Sequence, residues 1–303
     1  MPEKEIIGQL PDEMAAKIRR ISITTSRIVQ EIFTGRYHSA FKGRGMEFDS
    51  VREYQPGDEI RSIDWNVTAR TGRLQIKKFI EERELSVMLL LDTSFSCRFG
   101  SNAQLKSDLA AEICSVLAFS STYNGDKVGL FLFTNKVEKI IPPKKGTNHV
   151  LRIIREALAY EPKGVKTDIR APIDYLNKIM HQKAVCFIIS DFLVQDYQDP
   201  LVAAKQRHDI IVIRVIDPRE VDIPNAGLVT LDDAESGEQI VVDTSSAAVR
   251  AQYHETSLNR LRSQDEFFSS NGIDSIDVYT DSPYIDPLIG FLKKRALRQR
   301  RGF

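Results

Sequence analysis

Val87 to Leu91 reads V-M-L-L-L and runs straight into Asp92, with no polar residue at alternate positions. A strand with one face in water alternates apolar and polar side chains, so a short continuous run of this kind has both faces covered. The same signature recurs in V-G-L-F-L-F (128–133), A-V-C-F-I-I (184–189) and I-I-V-I-R-V-I (210–216). Doubly covered strands separated by helical stretches leave few architectures. The economical one is a doubly wound, mostly parallel sheet flanked by helices, an α/β fold.

The intervening stretches fit that frame. Ala103 to Tyr123 carries an apolar stripe of Leu105, Leu109, Ile113, Val116, Leu117 and Phe119, the spacing of an amphipathic helix. Further helices are expected over about 148–159, 168–181, 200–207, 246–270 and 287–300. Val137 to Ile141 is expected as a strand ended by Pro142-Pro143, and I-D-S-I-D-V-Y-T as the last strand. The rhythm breaks at 219–244, where A-G-L-V-T-L and Q-I-V-V-D-T flank D-D-A-E-S-G-E. That pattern reads as an inserted hairpin.

The sheet-forming region therefore spans 84–303, and residues 1–83 form a separate N-terminal region. Its first part, about Asp12 to Tyr37, has helical periodicity through Met14, Ile18, Ile21, Ile28, Ile32 and Phe33. Residues 46–83 change character, with a turn pair at Pro56-Gly57 and a second turn at Thr71-Gly72. I-D-W-N-V and L-Q-I-K-K-F-I alternate enough to predict short half-buried strands. The stretch mixes both signs of charge through Arg52, Asp58, Arg61, Asp64, Arg70 and Arg73. Such residues either lace the surface with ion pairs or, together with Tyr54 and Trp65, form a partner-binding patch.

With 42 basic and 42 acidic residues the net charge is zero, which removes support for general polyanion binding. The basic tail K-K-R-A-L-R-Q-R-R (293–301) is the feature that a nucleic-acid reading would rest on, but cations at a helix C-terminus also simply complement its dipole. Three widely spaced cysteines (Cys97, Cys114, Cys186) argue against a disulfide framework or a zinc cluster. The sequence has no apolar run of membrane-spanning length and no charged-then-apolar leader at its N-terminus, so a cytoplasmic protein without membrane insertion is expected.

Ligands of an open α/β sheet bind beyond the carboxyl ends of its strands. Asp92 ends the first buried strand and is followed by Ser94 and Ser96; Asp191 ends another; Thr167 lies in G-V-K-T-D, before the helix leading to that strand. Carboxylates and hydroxyls are hard oxygen donors suited to Mg²⁺, and to Mn²⁺ or Ca²⁺, rather than zinc or copper. Singly, each residue also reads as turn or cap chemistry, and Thr147 is a rival to Thr167. The ordered set on three loops is the specific signal.

That set resembles the metal-ion-dependent adhesion site of von Willebrand factor A domains. The resemblance implies that Ser94, Ser96 and Thr167 contact the ion directly, that Asp92 and Asp191 act largely through water, and that a partner carboxylate completes the shell. Phe95 departs from the pattern, since glycine is common between the two serines, and its bulk is a candidate partner contact. Beyond this region, R-E-Y-Q-P-G-D (52–58), I-D-W (63–65) and A-R (69–70), with L-L-L-D-T-S-F-S and I-I-S-D-F, are similar to the bacterial domain-of-unknown-function fifty-eight family over nearly the whole chain. The resemblance implies a soluble variant of a family associated with MoxR-type AAA+ ATPases, acting with them as an adaptor or co-chaperone on a client protein.

No histidine or cysteine is expected in these loops to act as base or nucleophile, which favours binding over catalysis. The enzymatic alternative is an aspartyl-phosphate type phosphohydrolase using Asp92 and Mg²⁺. That chemistry wants a second carboxylate two residues on, where this chain has Ser94.

Overall fold

The computed structural model describes residues 47–80, 85–101, 104–232 and 238–300. The expected helix over Asp12 to Tyr37 lies outside these residues. Two compact units are distinguished, one within 41–84 and one containing everything described from Leu85 onward.

In the larger unit, six strands hydrogen-bond in the order β10-β7-β6-β3-β4-β5. These are β3 (Ser86–Asp92), β4 (Lys127–Phe133), β5 (Val137–Lys144), β6 (Val185–Ser190), β7 (Asp209–Ile216) and β10 (Asp274–Tyr279). All neighbours are parallel except β4 and β5. The fold is the expected α/β one, a doubly wound, mostly parallel sheet flanked by helices. The strand order reverses between β3 and β6, so the loops after these two strands open onto the crevice where such sheets bind ligands.

The apolar runs form central strands because helices cover both faces. Alternate residues of one strand point to opposite faces. Met88, Leu90, Phe131, Phe133, Cys186, Ile188, Ile210 and Val212 share one core with Ile173, Leu176, Leu201, Ala204 and Phe268. Those last residues come from α4 (Arg170–Ile179), α5 (Gln198–Arg207) and α6 (Ala247–Ser270). On the other face α2 (Lys106–Tyr123) packs along β3, β4, β6 and β7 and against α3 (Thr147–Ala159). The last helix, α7 (Ile285–Arg300), packs on β10. Its basic tail is partly committed there: Arg295 pairs with Asp209 and Asp274, and Arg298 with Asp274 at 2.8 Å.

The strand β5 continues through Pro142 and Pro143 rather than stopping before them. It lies at the sheet edge, where a proline's missing N–H leaves no ladder bond broken. The predicted insertion is present as an antiparallel pair, β8 (Leu228–Asp232) with β9 (Gln239–Asp243).

The smaller unit corrects one strand assignment. Its hairpin pairs β1 (Glu47–Glu53) with β2 (Gln75–Ile80), whereas I-D-W-N-V is mostly helical. Ile63 makes a single bridge to Ile76, and Asp64 then caps α1 (Trp65–Thr71) by accepting the N–H groups of Asn66 and Val67. An N-cap carboxylate satisfies donors that a strand would have paired elsewhere, so the local cap overrides a weak alternation. Gly72, at φ 69°, ends the helix, and the Pro56-Gly57 turn closes with Asp58 N–H donating to Gln55 C=O.

Among the described residues, no helix is long and apolar enough to cross a membrane.

Candidate metal centre

Asp92 is the last residue of β3 and is buried. Its Oδ1 accepts the Ser94 N–H at 2.9 Å, an Asx-type turn that brings the chain back over the strand end. Its Oδ2 accepts the Ser190 hydroxyl at 2.6 Å, which links the ends of β3 and β6 directly. The Ser94 and Ser96 hydroxyls, also buried, lie 3.1 Å apart. Thr93 fixes the base of the loop by donating from both N–H and Oγ1 to Phe133 C=O.

Asp191 follows Ser190 and is equally enclosed. Its Oδ1 accepts Leu193 N–H at 3.1 Å. Phe192, between them, has φ 53°, a left-handed conformation uncommon for an aromatic residue. Two restraints hold it. Its ring is buried edge-on against Tyr197 and Phe268, and its carbonyl accepts Gln264 Nε2 at 2.9 Å. The backbone is thereby bent so that Asp191 faces Asp92. One ligand atom from each of Asp92, Asp191 and Cys97 lies within 4.8 Å of the others.

Cys97 corrects the sequence reading, which placed no cysteine in these loops. Its sulfur is 3.8 Å from Ser94 Oγ. Burial, then the charges of Asp92 and Asp191, push its thiol well above the ordinary cysteine range. Beside these two carboxylates it is therefore held as the thiol, the wrong state for a nucleophile.

Lys106 was also missed. The first residue of α2, it is fully buried, and its Nζ donates to Asp191 Oδ2 at 2.7 Å and to Glu220 Oε1. Burial works against its ammonium, but Asp191 and Glu220 outweigh that and keep its pKa above the usual lysine range. Glu220 is set by the turn after β7: Asp217 caps Pro218–Glu220, and Glu220 Oε2 accepts Asp217 N–H at 3.2 Å. A sequence signal for Lys106 exists. It stands three, four and seven residues before Leu109, Ala110 and Ile113, all buried, so helical spacing alone puts it on the core face.

Lys106 thus joins two carboxylates, Asp191 and Glu220, and Asp92 lies beside Asp191, so the cluster sets three carboxylates against one ammonium and carries two negative charges when all are ionised. The strain appears on Asp92: burial first, and then the neighbouring Asp191 charge, push its carboxyl up to about 7. Two surplus charges among hard oxygen donors are what a divalent cation neutralises, so the residues present fit Mg²⁺, Mn²⁺ or Ca²⁺.

The Thr167 loop reaches the same strand end. Phe95 N–H donates to Val165 C=O at 3.0 Å, and Asp168 N–H to Thr134 C=O at 3.0 Å, so Thr167 is buried between two tethered points. Gly164 N–H donates to Glu138 Oε1 at 2.8 Å. Thr147, the rival, is simply the first residue of α3. Phe95 is 48% exposed, as are Val165 (48%) and Phe99 (45%), which gives the hydroxyl pair an apolar border.

The other candidate partner residues belong to the smaller unit. Arg52 makes a bidentate pair with Asp58 at 2.7 Å, and Asp58 also accepts Gln55 N–H. Asp64 is used as the cap of α1. Tyr54 N–H donates to Leu74 C=O at 3.0 Å, and Arg61 and Arg70 sit in the last turns of the short helical pieces. Trp65 is 63% exposed. Several charges singled out in the sequence thus close turns and pair locally.

The sequence profile of the family described as "Protein of unknown function DUF58" matches residues 50–262. The uncharacterized protein Rv1480 of Mycobacterium tuberculosis is 33% identical over 240 residues, covering 78% of this chain and 76% of that one. Among solved structures, the conserved hypothetical protein BatB from Bacteroides thetaiotaomicron aligns at 16% identity with a TM-score of 0.46, over 70% of this chain and 99% of that one. The SpRpn10 VWA domain aligns at 13% identity with a TM-score of 0.38, over 68% and 94%.

Proposed function

The chain belongs to the DUF58 family, and on that premise we propose that it is a protein-interaction module that engages its partner through a divalent cation, Mg²⁺ in the first instance. The observation that carries this reading is the buried cluster at the strand-order reversal, where three carboxylates, one ammonium and two hydroxyls meet and leave two negative charges when all are ionised. A bound divalent ion would supply a positive coordination point for an acidic side chain of the partner. Ser94, Ser96 and Thr167 would hold the ion, and Asp92 and Asp191 would hold its water shell. Phe95, Phe99 and Val165 would contribute apolar contact around it, since aromatic groups beside polar anchors are typical of interface centres.

We further propose that the partner is a MoxR-type AAA+ ATPase, with this chain presenting a client protein to it as an adaptor or co-chaperone. The support is the R-E-Y-Q-P-G-D block at 52–58 together with the strand-end set. Trp65 and Ile60, 63% and 68% exposed, give the smaller unit an apolar surface for a second contact. The test is capture of a purified MoxR-type ATPase from the same organism by wild type, Asp92→Ala and Trp65→Ala, with Mg²⁺ and with EDTA. Capture lost in EDTA and in Asp92→Ala supports the ion-mediated contact. Capture unchanged in both sinks it.

A further inference from the structure

Both oxygens of Asp191 already have donors: Leu193 N–H on Oδ1 and the Lys106 ammonium on Oδ2. A cation arriving at this carboxylate therefore meets a positive charge seated on it. Lysine is seldom buried without a partner, and one carboxylate would have satisfied this one. Instead its Nζ bridges two, Asp191 in the centre and Glu220 on the turn after β7. Glu220 is not mobile company, because its other oxygen is held by Asp217 N–H in the capping box. The ammonium thus has a second seat that stays in place when Asp191 is taken from it.

We infer that Lys106 is a built-in competitor of the divalent ion: its ammonium covers Asp191, lowers the affinity of the centre for divalent cations, and shifts onto Glu220 when an ion binds. This inference rests on the divalent-ion reading above. With Lys106 the ionised cluster carries two negative charges, and without it three. A unit charge a few ångströms away, at the effective permittivity of a protein site, changes an ion's affinity by roughly tenfold or more. Lys106 accordingly keeps the centre weak enough for occupancy to depend on the divalent ion concentration and on the partner that shares the ion.

The test is a Mn²⁺ titration of the full chain, read by the electron paramagnetic resonance of free Mn²⁺, for wild type, Lys106→Met and Lys106→Gln. Both variants are expected to bind Mn²⁺ at least about tenfold more tightly than wild type. Equal or weaker binding in the variants overturns the inference and leaves the divalent-ion reading standing. Absence of Mn²⁺ binding at millimolar concentration in all three proteins overturns both. Should neither variant fold, the wild type decides: in ¹⁵N-lysine-labelled protein the Lys106 ammonium resonance is expected to move as Mg²⁺ saturates the centre. A resonance unchanged at Mg²⁺ saturation overturns the inference.

Discussion

Lys106 Nζ lies 2.7 Å from Asp191 Oδ2, and neither side chain is more than 1% exposed. The pair, 85 residues apart in the chain, joins the first turn of α2 to the end of β6. A buried pair of this kind is a fragile balance. Its desolvation cost is met only while both partners and the second carboxylate, Glu220, remain.

Removing the ammonium should therefore hurt the metal-free protein far more than removing one of its partners. In EDTA, Lys106→Met is expected to lose roughly 3–5 kcal/mol of stability, because two carboxylates are left buried and uncompensated. Glu220→Gln leaves the Asp191 contact intact and should lose about 1–2 kcal/mol. The double variant should lose less than the sum of the two, which urea unfolding of all four proteins measures. Strict additivity would mean that Lys106 and Glu220 are not coupled.

The Thr167 loop can be tested without touching a candidate ligand. A Cβ at Gly164 would run into the Thr134 side chain, with Asn135 Oδ1 at 2.8 Å also in its way. Thr134 is the residue whose carbonyl anchors Asp168. Gly164→Ala is expected to cost about 1–3 kcal/mol through overpacking and to weaken Mn²⁺ binding by displacing Thr167. A lowered melting temperature with unchanged Mn²⁺ affinity would remove Thr167 from the ligand set.

The four buried strands were legible because each is covered on both faces, and a continuous apolar run has no other economical explanation. The pair Asp92 and Asp191 followed from their place at strand ends. Lys106 was hidden by residue type: its position on the core face was readable from helical spacing, but a lysine at such a position is ordinarily read as the solvated end of a helix. Cys97 was passed over for a similar reason, its apolar character masking a place three residues from Ser94 in the same loop. The strand β1, E-F-D-S-V-R-E, has charges at both ends, and from Ser50 to Glu53 its residues are half-buried or exposed, with little burial to impose alternation. I-D-W-N-V, between it and its partner β2, differs from the expected strand because Asp64, one residue, converts an alternating stretch into a capped helix.

Arg214 supports the centre from a distance. Buried in the middle of β7, it donates from Nε and Nη2 to Asp277 at 2.7 and 2.8 Å and from Nη1 to Gln264 Oε1 at 2.9 Å. Gln264 in turn holds the carbonyl of Phe192, the left-handed residue next to Asp191. Lysine cannot reproduce the guanidinium fork, so Arg214→Lys should lose roughly 2–4 kcal/mol in urea unfolding. A loss within about 0.5 kcal/mol, the range of an ordinary surface change, would show the network to be dispensable.

Asp217 gives the fold a pH dependence of known sign. It is buried at the end of β7, and burial alone would raise its pKa. Ser101 outweighs this by donating from both hydroxyl and N–H, and Arg219 N–H and the Thr280 hydroxyl add to it, so the folded pKa lies below the ordinary carboxylate value. A carboxylate with a lowered pKa stabilises the fold at pH values above its unfolded pKa, and that stabilisation is lost as the pH falls through the folded pKa. Asp217→Asn keeps the shape and removes the charge. The stability gap between wild type and this variant should be about 1–3 kcal/mol at pH 7. It should hold down to about pH 4, the unfolded aspartate range, and narrow below it. Urea unfolding at pH 7, 5, 4 and 3 measures the gap, and a gap that does not narrow on acidification would mean that the charge on Asp217 contributes nothing.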